Sequence, residues 1–305
     1  MSISIETSFR QYTKYNAMIK NITNIKPFSK FRTRKRLGQH FLIKESIIDS
    51  IVNSVLLDTA EGVLEIGPGL GAITLPIAKR YNHLVAVEKD RDALCILVEK
   101  LYKSDLIDNI TLIEKDILSC SIEQLFGGRK ICIVGNLPYN ISKAILLKII
   151  NERKFIHRAV FMFQNEVAER LLADPGGRHY GALSVIIQYY ATVHKIIDVP
   201  KSCFRPVPKV ESMVVEIDFT KPYLQKTSNE HLFRYVVRAA FSHRRKTLFN
   251  SLRLEIKSID ETILNNILLE CNIDPIRRAE TLSIDEFLFL TDVFQKNEVL
   301  CGYNQ

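Results

Sequence analysis

The chain has 305 residues and a formal net charge of +8, with 42 Lys and Arg against 34 Asp and Glu. Its 47% hydrophobic and 25% charged residues are ordinary for a globular protein, and this length buries a core without disulfides or metals. No apolar run reaches the roughly 18 residues of a membrane helix, and no long apolar stretch follows the first basic residues as a signal peptide requires.

Residues 1–30 show no apolar period and are rich in Asn, Ser, Thr and Lys, which points to a flexible extension. From residue 44 the pattern changes: Ile47, Ile48, Ile51, Val52 and Val55 recur at helical spacing. Short apolar runs follow at Val63–Ile66, Leu84–Val87, Thr111–Ile113, Ile131–Val134 and Val160–Phe163. Helical patterns lie between several of them, notably Asp92–Leu101 and Ser142–Ile150. Strands alternating with helices predict a parallel α/β sheet. A further strand of alternating polarity is expected at Met213–Phe219. Beyond Thr220 the pattern turns helical, at 231–254, 260–270 and 283–294, with a Ser283/Glu286 capping box opening the last. This predicts a core over residues 31–220 and a small all-helical domain over 221–305.

The six cysteines, at 95, 120, 132, 203, 271 and 301, have no CxxC spacing, so reduced thiols are expected. The seven histidines show no metal-binding spacing, and no catalytic metal is expected. The positive charge favours a polyanionic partner, and its distribution says more than its total. Residues 1–50 carry ten Lys and Arg against three acids. Residues 231–254 carry Arg234, Arg238, Arg244, Arg245, Lys246 and Arg253 with no acid. The second block reads as a basic helical stripe for nucleic acid; the blander reading is a helix end complementing its dipole. Arg34, Lys35 and Arg36 read either as a solvated charge run or, beside Gln39 and Phe41, as phosphate contacts, and the second reading is put ahead.

The segment Glu65-Ile66-Gly67-Pro68-Gly69-Leu70-Gly71 follows a strand and opens a helix. Glycines there let the backbone turn sharply and approach a ligand. Glu88 ends the next strand, where a carboxylate can bond both hydroxyls of a ribose. Nicotinamide cofactors and S-adenosylmethionine both carry that ribose, so Glu88 does not separate them. Asp116, at the end of the third strand, can accept from an exocyclic adenine amine or simply cap a helix. All these positions fall at carboxyl ends of successive strands, where open α/β sheets bind ligands.

The fourth strand ends in Asn136-Leu137-Pro138-Tyr139. An exocyclic aromatic amine is a poor nucleophile, because its lone pair is delocalised into the ring. Methylating it requires two acceptors that hold the amine with its lone pair toward the methyl donor. The Asn136 side-chain oxygen and the Leu137 carbonyl can supply them. Pro138 stiffens the turn, and Tyr139 offers a face for an extruded base. Asn-x-Pro is also common turn chemistry; its place beside the proposed cofactor loop favours the functional reading.

With these residues in view, the chain resembles the KsgA-type small-subunit ribosomal RNA adenine N6-dimethyltransferases, relatives of the Erm methylases. The resemblance runs from about Arg34 to about Phe294. It is carried by Arg34–Leu42, Glu65–Gly71, Asn136–Tyr139, Phe204–Ser212 and Arg238–Leu248. It implies a Rossmann-like S-adenosylmethionine-dependent methyltransferase domain followed by the helical one. It implies cofactor contacts at Gln39, His40, Leu42, Gly67, Gly69, Glu88, Asp116, Ile117 and Asn136. It places Phe204 across the target base from Tyr139, and RNA contacts at Arg34, Lys35, Arg36, Arg238, Arg244, Arg245 and Lys246. Phe204 reads either as simple core or, from the Pro-rich segment after it, as part of an exposed loop, and the loop is put ahead. The implied substrate is a pair of adjacent adenosines in a hairpin near the 3′ end of small-subunit rRNA, each dimethylated during subunit assembly. A cytoplasmic monomer is expected. His40 stands where many members have Asn, and the long N-terminal extension leaves a mitochondrial member of the family open. A nicotinamide-dependent oxidoreductase would leave Asn136–Tyr139 and the basic block unexplained. A non-catalytic RNA-binding factor would have no use for an intact Asn-Leu-Pro-Tyr motif.

Overall fold

A computed structural model describes residues 40–55, 61–138, 141–257 and 259–297. Gln39, Tyr139, Arg34, Lys35, Arg36 and the N-terminal extension lie outside them. The chain divides into two compact units: residues 1–162 with 197–211, and residues 163–196 with 212–305.

The first unit opens with β1 (Phe41–Leu42) and α1 (Glu45–Ser54) and then alternates strand and helix. Its elements are β2 (Val63–Ile66), α2 (Thr74–Arg80), β3 (Leu84–Glu88), α3 (Arg91–Lys103) and β4 (Ile110–Glu114). They continue with α4 (Ile122–Phe126), β5 (Ile131–Asn136), α5 (Ser142–Asn151) and most of β6 (Ile156–Gln164). The five strands β2 to β6 lie in the order β4-β3-β2-β5-β6, and every adjacent pair is parallel. Each expected strand of this core is present: β2 has the expected bounds, and the other four are longer by one to five residues. β2 is buried along its whole length and β5 along all but Asn136. Burial on both faces is why these strands read as continuous apolar runs rather than alternating ones.

The strand order reverses between β2 and β5. β3 and β4 extend the sheet on one side of this point and β6 on the other. At such a switch point the loops leaving the carboxyl ends of neighbouring strands part company and open a crevice. The loop after β2 is the glycine loop, and the residue ending β5 is Asn136.

The second unit contains α6 (Asn165–Leu172), α7 (Ala182–Tyr190), most of β7 (Thr192–Val199), β9 (Ser212–Asp218) and four C-terminal helices. β8 (Phe204–Arg205) belongs to the first unit. β9 appears as expected but not with alternating polarity: six of its seven residues are buried, so both its faces are covered. The expected helix over 231–254 is two helices, α8 (Glu230–Phe241) and α9 (Leu248–Glu255). The turn between them ends at Thr247, whose hydroxyl accepts from the Asn250 N–H and starts α9 afresh. α10 (Glu261–Glu270) is capped by Asp260, and α11 (Ile284–Lys296) by the Ser283/Glu286 box. Arg277 pairs with Glu286 and so braces that box.

Candidate active site and nucleic-acid interface

A cavity of about 660 Å³ opens at the switch point of the sheet. Ten of the expected site residues line it: His40, Leu42, Gly67, Gly69, Glu88, Asp116, Ile117, Asn136, Leu137 and Pro138. The volume suits a nucleoside-sized ligand.

The glycine loop is shaped by backbone that L-residues resist. Gly69 has φ +54° and Gly71 φ +87°. A Cβ on Gly71 would lie 2.6 Å from Cδ1 of Leu97. The loop is tied to Glu88: the Gly69 N–H donates to Oε2 at 3.0 Å, and the Asp90 N–H to Oε1 at 2.8 Å. Each carboxylate oxygen has a second lone pair, so two acceptor sites remain for the hydroxyls of a ribose. Burial raises the Glu88 pKa, and the backbone donors oppose that shift.

Asp116 carries both roles the sequence left open. Its Oδ1 accepts from the Leu118 N–H at 3.0 Å, capping the short turn Ile117–Ser119, while its carboxylate lines the cavity. Lys89 pairs with Oδ2 at 2.8 Å and holds the carboxyl below its usual range.

Glu65 is a member of this site to which sequence reasoning gave no role. It is the penultimate residue of β2, one before Ile66, is 2% exposed and lines the cavity. Its Oε2 has no hydrogen-bond partner among the described residues. Burial pushes its pKa up to about 8, and the nearby Glu88 charge adds to the rise. The available signal was polarity: an acid inside an otherwise apolar strand needs a compensating partner or a function.

Asn136 is fixed from two sides. Its Nδ2 donates to the His40 carbonyl at 3.0 Å, so Oδ1 is the amide's acceptor end. The strand carrying it runs close to β2, because a Cβ on Gly135 would sit 2.7 Å from the Ile66 carbonyl oxygen. The Leu137 side chain is buried, and its N–H reaches the Met162 carbonyl at 3.4 Å. The Pro138 carbonyl accepts from the Ile141 N–H and the Ser142 hydroxyl, which clamps the turn leaving the strand.

Phe204 is not on an exposed loop. It is 1% exposed and sits in β8, paired with Leu42 of β1. The Pro-rich stretch that suggested exposure begins two residues later. The same ladder places the His40 ring, whose Nδ1 lies 2.8 Å from the Pro206 carbonyl.

The basic residues of the second unit do not form one helical stripe. Arg238 is exposed on α8, whereas Arg244, Arg245 and Lys246 lie on the turn between α8 and α9, all exposed. Arg234 instead turns inward and donates to the Tyr190 hydroxyl at 2.8 Å. Arg244 donates to the carbonyl of Arg178 at 3.1 Å, which brings a third exposed arginine, missed from the sequence, to the same turn.

Comparison with known proteins agrees with this geometry. Residues 30–290 match the family model for ribosomal RNA adenine dimethylase. The ribosomal RNA small subunit methyltransferase A of Desulforapulum autotrophicum is 49% identical over 261 residues, covering 85% of this chain and 91% of the relative.

The chain belongs to the ribosomal RNA adenine dimethylase family.

It is an rRNA methyltransferase, and S-adenosylmethionine is its cofactor. The protein of the same name from Bacillus cytotoxicus is 40% identical over 269 residues, 86% of this chain and 91% of that one. The fold also matches a dimethyladenosine transferase from Plasmodium falciparum, with a TM-score of 0.70 and 24% identity over 84% of this chain and 98% of that one.

Proposed function

We propose that this chain transfers methyl groups to the N6 amines of two adjacent adenosines in a hairpin near the 3′ end of small-subunit rRNA, dimethylating each during subunit assembly. When bound, S-adenosylmethionine supplies the methyl as a sulfonium, an already activated leaving group. The residues present fit it. Glu88 accepts from the ribose, Asp116 stands ready for the adenine amine, and the unpartnered Glu65 Oε2 suits a cationic ligand. His40, Leu42 and Ile117 complete the walls, and we add Gln39, outside the described residues, as a further cofactor contact.

The chain's own work is to hold the target amine. Asn136 Oδ1 and the Leu137 carbonyl accept the two N–H groups of the unmodified amine, leaving the nitrogen lone pair aimed at the methyl. The monomethylated amine keeps one of these bonds for the second transfer. After each transfer, as the S–CH3 bond gives way to N–CH3, the now cationic nitrogen sheds its proton to solvent. No titrating base is needed; alignment does the catalysis. Tyr139 stacks on the extruded base. Phe204 joins that stack only by leaving its buried place in β8. Phosphate contacts come from Arg238, Arg244, Arg245 and Lys246, and from Arg34, Lys35 and Arg36 in the N-terminal arm. In this reading residues 31–220 carry the chemistry and 221–305 most of the RNA grip. The protein works as a cytoplasmic monomer; among the described residues no helix is long and apolar enough to cross a membrane.

The observation that carries this reading is Asn136 itself, at the switch point, in the cofactor cavity, with its amide nitrogen committed to His40. Asn136→Ala tests it in single-turnover methylation at saturating RNA. The rate should fall by about 10²-fold or more, the scale for losing one preorganised polar contact, while RNA affinity stays near wild type. A near-normal rate would remove the amine-holding role.

A further inference from the structure

Lys100 is out of character with its surroundings. α3 buries Ala93, Ile96, Leu97 and Leu101, and Lys100 follows Ile96 and Leu97 by one turn, on the same apolar side. Its side chain is part-buried, and that burial lowers its pKa. An ammonium on the core face of a helix is costly unless something compensates it. Part of that compensation is visible: Nζ donates to the Leu70 carbonyl at 2.7 Å.

That carbonyl belongs to the Leu70–Gly71 peptide in the middle of the glycine loop. The N–H of the same peptide donates to the Pro68 carbonyl at 2.9 Å. Both polar ends of this one peptide unit are therefore held, one from within the loop and one from α3. The residues on either side of Leu70 have positive φ, and Gly69 supplies the N–H that meets Glu88. A peptide whose following residue is glycine has wide freedom to reorient about that glycine's φ, so an outside tether decides which orientation persists. Lys100 also lines the cavity.

We propose that Lys100 is a positioning residue for the cofactor: from α3 it pins the Leu70–Gly71 peptide and so keeps the Gly69 N–H on Glu88, preorganising the pocket before the cofactor arrives. The inference rests on the reading of this cavity as the cofactor site. Preorganisation is felt in binding, because a loop that must be ordered at the moment of association weakens affinity. The methyl transfer step, set by Asn136 and Leu137, does not depend on it.

The test compares wild type, Lys100→Met, Lys100→Arg and Glu88→Ala. Calorimetry measures S-adenosylmethionine affinity, and methylation of small-subunit rRNA gives kcat and the cofactor KM. Lys100→Met should weaken cofactor binding and raise its KM by roughly tenfold, the scale of one charged hydrogen bond, with kcat within about twofold. Lys100→Arg can reach the same carbonyl and should recover most of the loss. Wild-type affinity in Lys100→Met beside weakened binding in Glu88→Ala would overturn the role of Lys100 and leave the pocket assignment standing. An equal fall in kcat and affinity that arginine does not rescue would also overturn it, by showing a merely structural lysine. Wild-type affinity in both Lys100→Met and Glu88→Ala would instead overturn the cofactor site itself.

Discussion

Replacing Glu65 by Gln should stabilise the cofactor-free protein, and by an amount that depends on pH. The carboxyl is 2% exposed, and its pKa is raised from 4.5 to about 8. Below about pH 4.5 the group is protonated whether folded or unfolded, and it costs nothing. Between pH 4.5 and 8 the unfolded chain has lost the proton and the folded one keeps it. Stability then falls by about 1.4 kcal/mol per pH unit. Above pH 8 both forms are ionised and the full penalty remains, about 3.5 units or at most roughly 5 kcal/mol. That is a large share of the roughly 5–15 kcal/mol stability of a typical domain. Gln has nearly the same shape and carries no charge. The stability difference between variant and wild type, from urea unfolding at several pH values, should therefore be small near pH 4.5 and grow to a plateau above pH 8. Cofactor carrying positive charge should favour the ionised carboxylate, so binding below pH 8 should release protons, measurable by calorimetry in buffers of different ionisation enthalpy. A difference that is flat with pH, or a variant less stable than wild type at pH 9, would refute the reasoning.

Two further perturbations separate backbone geometry from RNA binding. Gly135→Ala puts a Cβ 2.7 Å from the Ile66 carbonyl. The strands must part, at a cost of about 1–3 kcal/mol; the displaced Asn136 should lower turnover by up to about 10²-fold, read by thermal unfolding and single-turnover rates together. Replacing Arg244, Arg245 and Lys246 by Ala should weaken RNA binding. The slope of log affinity against log salt should flatten by about 0.7–0.9 per lost phosphate contact, with the chemical step little changed. A wild-type slope in salt-titrated binding would shift the RNA grip toward Arg34–Arg36.

The legible parts of the fold were those where burial is one-sided or complete. β2 and β5 are apolar runs ended by glycine or a turn, and no other element fits so short a stretch. β7 was missed because Thr192-Val193-His194-Lys195-Ile196-Ile197-Asp198 mixes polar and apolar residues, and the strand is only partly buried. β1 and β8 are two residues each, below any periodicity. The break between α8 and α9 has no Gly or Pro to announce it; its marker was Thr247 three residues before Asn250, a capping pattern inside an apparently continuous helix. In the site, ligand-facing residues were readable because they end strands. The supporting contacts were not. That Lys100 meets Leu70, or that His40 holds the Asn136 amide, depends on pairs 30 and 96 residues apart, a separation no local pattern encodes.

The central claim is that the Asn136 site methylates adenine N6 in small-subunit rRNA. The most direct measurement incubates immature small subunits with the purified protein and methyl-labelled S-adenosylmethionine, then maps the modified nucleosides. The account predicts label as N6,N6-dimethyladenosine at two adjacent positions in a hairpin near the 3′ end, with no label from Asn136→Ala. Label on another base, on large-subunit rRNA alone, or undiminished in the Asn136 variant would contradict it.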